Sequence, residues 1–283
     1  MQRSTRKKAV QGVAFSFLWI GAIITIVVLL VIVGYILYQG VPGLSWEFLT
    51  QSPKAGGKEG GILPMLVNTI FLVIASLAIA IPVGVLSAVF LAEYAKQGRI
   101  VRLIRSAAEN LAGIPSIIFG LFGFIFFGKI LGLGWSLLNG ALTAAIVVLP
   151  TIMRTSEEAL LAVPQSYREG SLSLGATRWQ TVTRVVLPAA SPGILAGLML
   201  SMGRIVGETA ALIFTLGSAD RIAQSLMDSA RPLSVHLYIL AHEGISTPKA
   251  FSTATVLIIL VLILNLTAAF LVSRANKNRK TKG

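Results

Sequence analysis

The chain has 283 residues, of which 55% are hydrophobic and only 12% are charged. A soluble globular chain carries about twice that charged fraction, so the composition is typical of a membrane protein. The net charge of +13 does not indicate nucleic-acid binding, because the charges lie at the ends of apolar blocks. Cysteine is absent, which excludes disulfides, metal–thiolate sites and thiol redox motifs.

Six apolar stretches predict an all-α integral membrane protein, since about 20 apolar residues are needed to cross the hydrocarbon core. The first follows a short basic tail and is too long for a signal-peptide core, so we expect it to be retained. We interpret the whole chain, 1–283, as one membrane domain. Its predicted spans cover about residues 13–38, 62–91, 110–130, 137–153, 192–216 and 251–272.

The segment 93–109, between the second and third spans, carries Arg99, Arg102 and Arg105 at every third residue. This pattern predicts an amphipathic or interfacial helix. A longer polar segment, 154–188, separates the fourth and fifth spans.

The distribution of lysine and arginine predicts the orientation. The tails and the 93–109 and 154–188 loops together hold 17 of these residues, the remaining loops hold 6, and Arg204 completes the 24. Positive loops stay in the cytoplasm. We therefore expect both termini and the 154–188 loop on the cytoplasmic side of the membrane.

Motifs for catalysis, cofactors and metals are missing from the sequence. A phosphate-binding G-x-x-x-x-G-K sequence followed by Ser or Thr does not occur, since Lys58 precedes Glu59 and Lys129 precedes Ile130. His242 is not followed by a second histidine at helical spacing, so a zinc site is not supported. We expect no cofactor, no metal and no hydrolysis by this chain itself.

The 154–188 loop reads as two short helices turned at a glycine, and it contains a spaced motif. The motif comprises Glu169, Gly170, Ser171, Gly175, Val185, Leu187 and Pro188. It resembles the EAA motif, E-A-A-x3-G-x9-I-x-L-P, of binding-protein-dependent ABC importer permeases. It departs from that motif only in Gly170 and Ser171 for the two alanines and Val185 for isoleucine.

The resemblance implies a type I ABC importer permease whose loop fits a cleft in a separate ATPase subunit. Gly175 would permit the tight turn, and Pro188 is expected to stop what precedes the fifth span. The residues expected to form this ATPase-coupling loop are Glu169, Gly170, Ser171, Gly175, Ala176, Leu187 and Pro188. The alternative interpretation of the loop is a solvated connector.

Three further stretches resemble the PstA-type permeases of phosphate-specific importers. They are NTIFL at 68–72, LAGIPSIIFGLFG at 111–123 and GRIVGETAALIFT at 203–215. The resemblance implies inorganic phosphate as substrate, two copies of an ABC ATPase subunit, and an extracytoplasmic phosphate-binding protein. It also implies a paralogous PstC-type permease as partner, although a second copy of this chain remains open.

Arg204 and Glu208 are a charged pair four residues apart in the predicted fifth span. An arginine near the bilayer centre is unfavourable by at least about 2.5–3.5 kcal/mol, so it indicates function. One hypothesis places Arg204 in the substrate pathway, oriented by Glu208, because a guanidinium donates in parallel to two phosphate oxygens. The other is a static pair that locks helices together.

Other functions remain open at this point. Residue chemistry does not separate phosphate from sulfate or molybdate. An ion-driven secondary carrier is disfavoured, because the chain lacks a visible inverted repeat and has a single intramembrane charged pair. A membrane enzyme or assembly protein is disfavoured by the missing catalytic cluster.

Overall fold

The computed structural model describes the backbone of residues 2–280 and the side chains of residues 15–270. The basic tails therefore lie outside the residues whose side chains are described. The main helices are α1 Gln2–Gly40, α2 Trp46–Thr50, α3 Leu63–Val89, α4 Arg99–Ala112, α5 Ser116–Gly123, α6 Leu137–Leu161, α7 Gln165–Ser173, α8 Arg178–Thr181, α9 Leu187–Gly207, α10 Ala210–Thr215, α11 Leu233–His242 and α12 Thr247–Lys280.

Short irregular elements join these helices. Strands β1 Pro53–Lys54 and β2 Glu59–Gly60 form an antiparallel hairpin in which Pro53 pairs with Gly60. Turns of π-helix extend α3 and α5 and lead into α9; they are Phe90–Tyr94, Phe124–Ile130 and Val182–Val186.

Among the described residues, five helical runs are long and apolar enough to cross a membrane. They are Phe15–Gly43, Leu63–Tyr94, Leu137–Leu161, Arg178–Gly207 and Thr247–Phe270. The bent pair Arg99–Ala112 and Ser116–Ile130 supplies a sixth if it is counted as one span. The predicted all-α membrane fold is confirmed.

Helix α6 lies at the centre of the fold, where it packs against α3, α5, α9 and α10. Its small residues Ala141 and Ala144 allow close approach, and they join the apolar core that contains Leu72 and Ala80 of α3. On the α5 side, a Cβ on Gly120 would come within 2.8 Å of the Cα of Ala211 in α10. Small side chains thus set the distances between helices, as expected in lipid.

Helix α1 packs beside α12. The rings of Tyr35 and Phe251 meet edge to face at 5.7 Å, and Ser252 Oγ donates a hydrogen bond to the Gly40 carbonyl. Side chains 15–32 of α1 are exposed, so this helix offers most of its apolar surface to the surroundings.

The helices do not have the limits predicted for the third and fourth spans. Residues 110–112 belong to α4, and the next apolar helix begins only at Ser116, after a bend of 98°. The helix that contains the predicted fourth span does not end near 153 but continues to Leu161. Its extra turns are stabilised by buried Leu160 and by the ion pair of Glu157 with Arg105 in α4, which the polar sequence alone did not indicate.

The helices also differ at both ends from the predicted fifth span, 192–216. A continuous helical run begins at Arg178, so Pro188 does not stop it but occupies the first turn of α9, where proline is tolerated. The helix then ends at Gly207, and α10 starts only at Ala210. The sequence is apolar on both sides of this break, so its hydropathy did not predict that the helix would end there.

Candidate functional site

The 154–188 segment folds into two short helices, α7 and α8, joined by a tight turn. Gly175 has φ of +82° and open space around its Cα, so only a residue without a Cβ adopts this conformation without strain. Thr177 then starts α8, because its hydroxyl accepts from the Gln180 N–H and the Gln180 side chain accepts from the Thr177 N–H. Two short helices turned at Gly175 agree with the sequence expectation.

Arg168 clamps α7 to the ends of two long helices. Its Nε and Nη2 donate to the Glu93 carboxylate at 3.1 and 2.6 Å, and its Nη1 and Nη2 donate to the carbonyls of Val163 and Leu160. The two charged side chains are only 13% and 10% exposed. A charged pair this buried is well satisfied only when extra hydrogen bonds saturate it, as they do here.

The outer surface of α7 and α8 exposes four large apolar side chains among polar ones. Leu174 is 90% exposed and Trp179 is 60% exposed, with Tyr167 and Leu172 beside them in the sequence. Exposed large apolar groups on a polar loop are typical of an interaction surface. We call Tyr167, Leu172, Leu174 and Trp179 the loop patch.

The predicted coupling residues occupy different positions around this patch. Glu169, Gly170 and Gly175 are exposed, whereas Ser171 and Ala176 are half-buried. Ser171 Oγ lies 2.9 Å from Thr181 Oγ1 and joins α7 to α8. Leu187 and Pro188 lie apart from the turn, at the start of α9.

Arg204 lies near the end of α9, half-buried, beside an open cavity of about 700 Å³. The cavity is lined also by Thr151 of α6 and Asn265 of α12. Among the described residues, Arg204 has no hydrogen bond or ion pair. The buried Oδ1 atom of Asn265 likewise has no partner. The lining of this cavity therefore contains two polar groups, on Arg204 and Asn265, that have no hydrogen-bond partner among the described residues.

Glu208 is not the partner of Arg204 that the four-residue spacing predicted. Its backbone is extended (φ −68°, ψ 127°), so it no longer follows the helical stripe of Arg204. Its carboxylate accepts from the Ala211 N–H at 3.2 Å, and its carbonyl accepts from Ser234 Oγ at 2.7 Å. Glu208 thus satisfies the backbone freed by the break between α9 and α10, as membrane interiors require.

The glycines near Arg204 have two different surroundings. A Cβ on Gly197 would collide with the Thr155 side chain, so this glycine serves the α9–α6 contact. Gly203 and Gly207 have open space or only a distant neighbour. Gly203, which lines the same cavity, therefore leaves room beside Arg204.

Sequence reasoning missed Glu93 and Asn265. Glu93 could have been noticed as a lone acid at the end of an apolar run, and Asn265 as a lone amide within another. Nothing in the sequence pairs Glu93 with Arg168, which is 75 residues away.

Comparison with known proteins decides the family. Residues 80–280 match the family described as binding-protein-dependent transport system inner membrane component. The chain belongs to this family. It is therefore an ABC importer permease of the binding-protein-dependent type and a multi-pass membrane protein.

Full-length relatives agree with this membership. The probable ABC transporter permease protein YqgI of Bacillus subtilis is 34% identical, over 94% of this chain and 96% of its own. The phosphate transport system permease protein PstA of Haemophilus influenzae is 34% identical, over 93% of both chains. PstA 1 of Mycobacterium tuberculosis is 29% identical, over 97% and 91%.

Solved structures share the permease fold. A crystal structure of a bacterial ABC transporter that imports the acidic polysaccharide alginate aligns with a TM-score of 0.65 at 16% identity, covering 91% of this permease and 95% of that chain. An inward-facing MetNI methionine transporter aligns with a TM-score of 0.60 at 25% identity, covering 76% and 94%.

Proposed function

We propose that this permease carries inorganic phosphate across the membrane, with Arg204 as the group that receives the anion. The observation that carries the proposal is the position of Arg204, beside an open cavity and without a partner among the described residues. An unpaired arginine inside a membrane domain is unfavourable unless something else satisfies it. Relatives named phosphate transport system permeases support inorganic phosphate as the anion that satisfies Arg204.

The chemistry of the cavity suits a tetrahedral oxyanion. The planar guanidinium donates two parallel hydrogen bonds to two oxygens of one phosphate. Thr151 and Asn265 add a hydroxyl and an amide on the facing helices, and each can donate to the remaining oxygens. A single cation allows release, because an anion held by several would leave slowly.

Coupling to ATP hydrolysis is proposed to run through the loop patch and the turn at Gly175. The exposed Leu174 and Trp179 would enter the cleft of a separate ATPase subunit, while Glu169 lies on the same exposed side. Six spans are few for a pathway. We therefore infer a pair of permeases, this chain with a PstC-type paralogue, served by two ATPase copies and an extracytoplasmic phosphate-binding protein.

Transport by the reconstituted complex tests the substrate. Proteoliposomes containing this permease, the paralogue and the ATPase should accumulate radioactive phosphate when the binding protein is outside and ATP is inside. Excess unlabelled phosphate should compete, and sulfate and molybdate should not. Accumulation of sulfate or molybdate instead of phosphate would overturn the substrate assignment while leaving the permease role intact.

Labelling of single cysteines tests the orientation, with both termini and α7 in the cytoplasm. The chain has no cysteine background. A cysteine replacing exposed Gln224, between α10 and α11, should react with an impermeant maleimide in intact cells. A cysteine replacing exposed Ser173 should react only after the membrane is opened. The reverse pattern would invert the topology.

A further inference from the structure

Helix α4 has three faces with different chemistry. One face packs on the rest of the fold through buried Val101 and through Arg105, whose Nε and Nη2 donate to the Glu157 carboxylate at 2.9 and 2.6 Å. Ala108 packs on the same core as Val101. Val101, Arg105 and Ala108 are spaced by four and three, as one side of a helix requires. The packed face fixes how α4 is rotated about its axis.

The other two faces are exposed, and they separate apolar from polar groups. The apolar face consists of Ile100, Leu103, Ile104, Ala107 and Leu111. The polar face consists of Arg99, Arg102, Ser106, Glu109 and Asn110. Ile100 and Leu103 are 75% and 69% exposed, although most apolar side chains of this size avoid water. The described residues therefore leave a broad apolar stripe beside two free arginines.

The bend after α4 sets its direction. The helix stops at Ala112, and Pro115 opens the crossing segment Ser116–Ile130 at an angle of 98°. The residue before a proline is driven out of the helical region, which accounts for the break. If Ser116–Ile130 crosses the bilayer, α4 must run along its surface.

We propose that α4 is an in-plane membrane helix that binds a lipid surface with anionic headgroups. Its apolar face enters the acyl boundary, its packed face touches α6, and its polar face meets the headgroups and water. Arg99 and Arg102 lie where the headgroups would be, and basic residues near an anionic surface are attracted to it. Separate apolar and basic faces on one helix are what surface binding requires.

The Arg105–Glu157 ion pair connects the proposed lipid contact of α4 to helix α6. It ties α4 to the last turns of α6, the helix that also lines the Arg204 cavity through Thr151. Lipid charge can thus bias the position of α6. The inference goes beyond the transport role and does not depend on phosphate being the substrate.

Spin labels on single cysteines test the immersion of α4 in the full complex. Labels at Ala107 and Leu103 should be accessible to oxygen and protected from a polar nickel complex. Labels at Ser106 and Asn110, on the neighbouring face, should show the reverse. Protection of 103 and 107 from both reagents would mean that a partner permease covers the stripe, and access to nickel would mean that water does. Either result overturns the proposal.

A change in the charge of the lipid tests whether α4 recognises anionic headgroups. Replacing phosphatidylglycerol by phosphatidylcholine should move the label at 107 to a shallower depth. In the double variant Arg99→Gln with Arg102→Gln, the depth should no longer depend on lipid charge. A control of equal charge, Lys58→Gln with Arg221→Gln, alters exposed residues away from α4 and should keep the dependence. Equal depth in both lipids for the unaltered chain would refute anionic recognition.

Discussion

Arg168 and Arg204 are two guanidinium groups in one chain with opposite surroundings. The Arg168 side chain is only 13% exposed, and all three of its nitrogen atoms donate, to one carboxylate and two carbonyls. Arg204 lies beside an open cavity and bonds to nothing among the described residues. An arginine whose nitrogen atoms all donate to neighbouring helices holds them together, whereas one with free donors inside a membrane is available to an anion.

The largest effect is expected at Arg168. Arg168→Gln removes the clamp and leaves the Glu93 carboxylate buried without its partner, which should lower the free energy of unfolding by about 3–5 kcal/mol. The thermal midpoint of the permease in detergent should fall, and uptake should fall with it. Arg221→Gln is the control, since Arg221 is exposed and forms no ion pair among the described residues. An unchanged midpoint for Arg168→Gln would show that the clamp is not structural.

Arg204→Gln should give the opposite result. Phosphate uptake should drop by roughly 100-fold, corresponding to about 2.7 kcal/mol, while the thermal midpoint stays the same or rises. Arg204→Lys keeps the charge but loses the fork, so partial uptake is expected. Normal uptake by Arg204→Gln would contradict a role for this arginine in the substrate pathway. A lower thermal midpoint would indicate that Arg204 stabilises the fold, as Arg168 is expected to do.

Two substitutions of Gly175, in the turn between α7 and α8, distinguish an effect on folding from an effect on ATPase docking. Gly175→Ala introduces strain of about 1–2 kcal/mol at a left-handed position, although no neighbour obstructs the new Cβ. Gly175→Asp adds a charge at the proposed docking surface. Co-purification of the ATPase and ATP-driven uptake should suffer more from Asp than from Ala, at equal permease yield. Equal losses would attribute the effect to backbone strain alone.

His236, which lies near Arg231, provides a test of how stability depends on pH. Burial, together with the nearby Arg231 and Lys249, lowers the pKa of His236 to about 4 from 6.5. The unfolded chain therefore binds more protons between these values, and stability falls as the pH drops below about 6.5. Between pH 7.5 and 5.5 the loss is about 1 kcal/mol. Hydrogen exchange of α11 should quicken accordingly, and His236→Gln should abolish this dependence.

The smallest effect is expected from Glu208→Gln. The glutamine oxygen still accepts from the Ala211 N–H, so the loss of stability should stay below about 0.5 kcal/mol, whereas Glu208→Leu should lose about 1 kcal/mol, as for a missing cap. Because no ion pair joins Glu208 to Arg204, the double variant Arg204→Gln with Glu208→Gln should remain inactive. Recovered uptake in the double variant would instead support the hypothesis that Arg204 and Glu208 form a static structural pair.

The sequence by itself determined the features that depend on local composition and spacing. Apolar runs of sufficient length predicted the membrane class and most crossing segments, since the bilayer sets a minimum length. The spacing of Glu169, Gly175 and Pro188 indicated the permease family, and the positive φ of Gly175 agrees with the turn expected there. The three arginines of 93–109 correctly predicted a separate amphipathic helix.

Only the tertiary structure decided which charges meet. The four-residue spacing of Arg204 and Glu208 predicted an ion pair, but the helix ends at Gly207 and the carboxylate turns to the next helix instead. Arg168 finds Glu93 across 75 residues because α7 folds back against the end of α3. Spacing predicts contact only while the helix continues, and whether it continues depends on the hydrogen-bond partners that distant segments supply, here Ser234 for the freed carbonyl of Glu208.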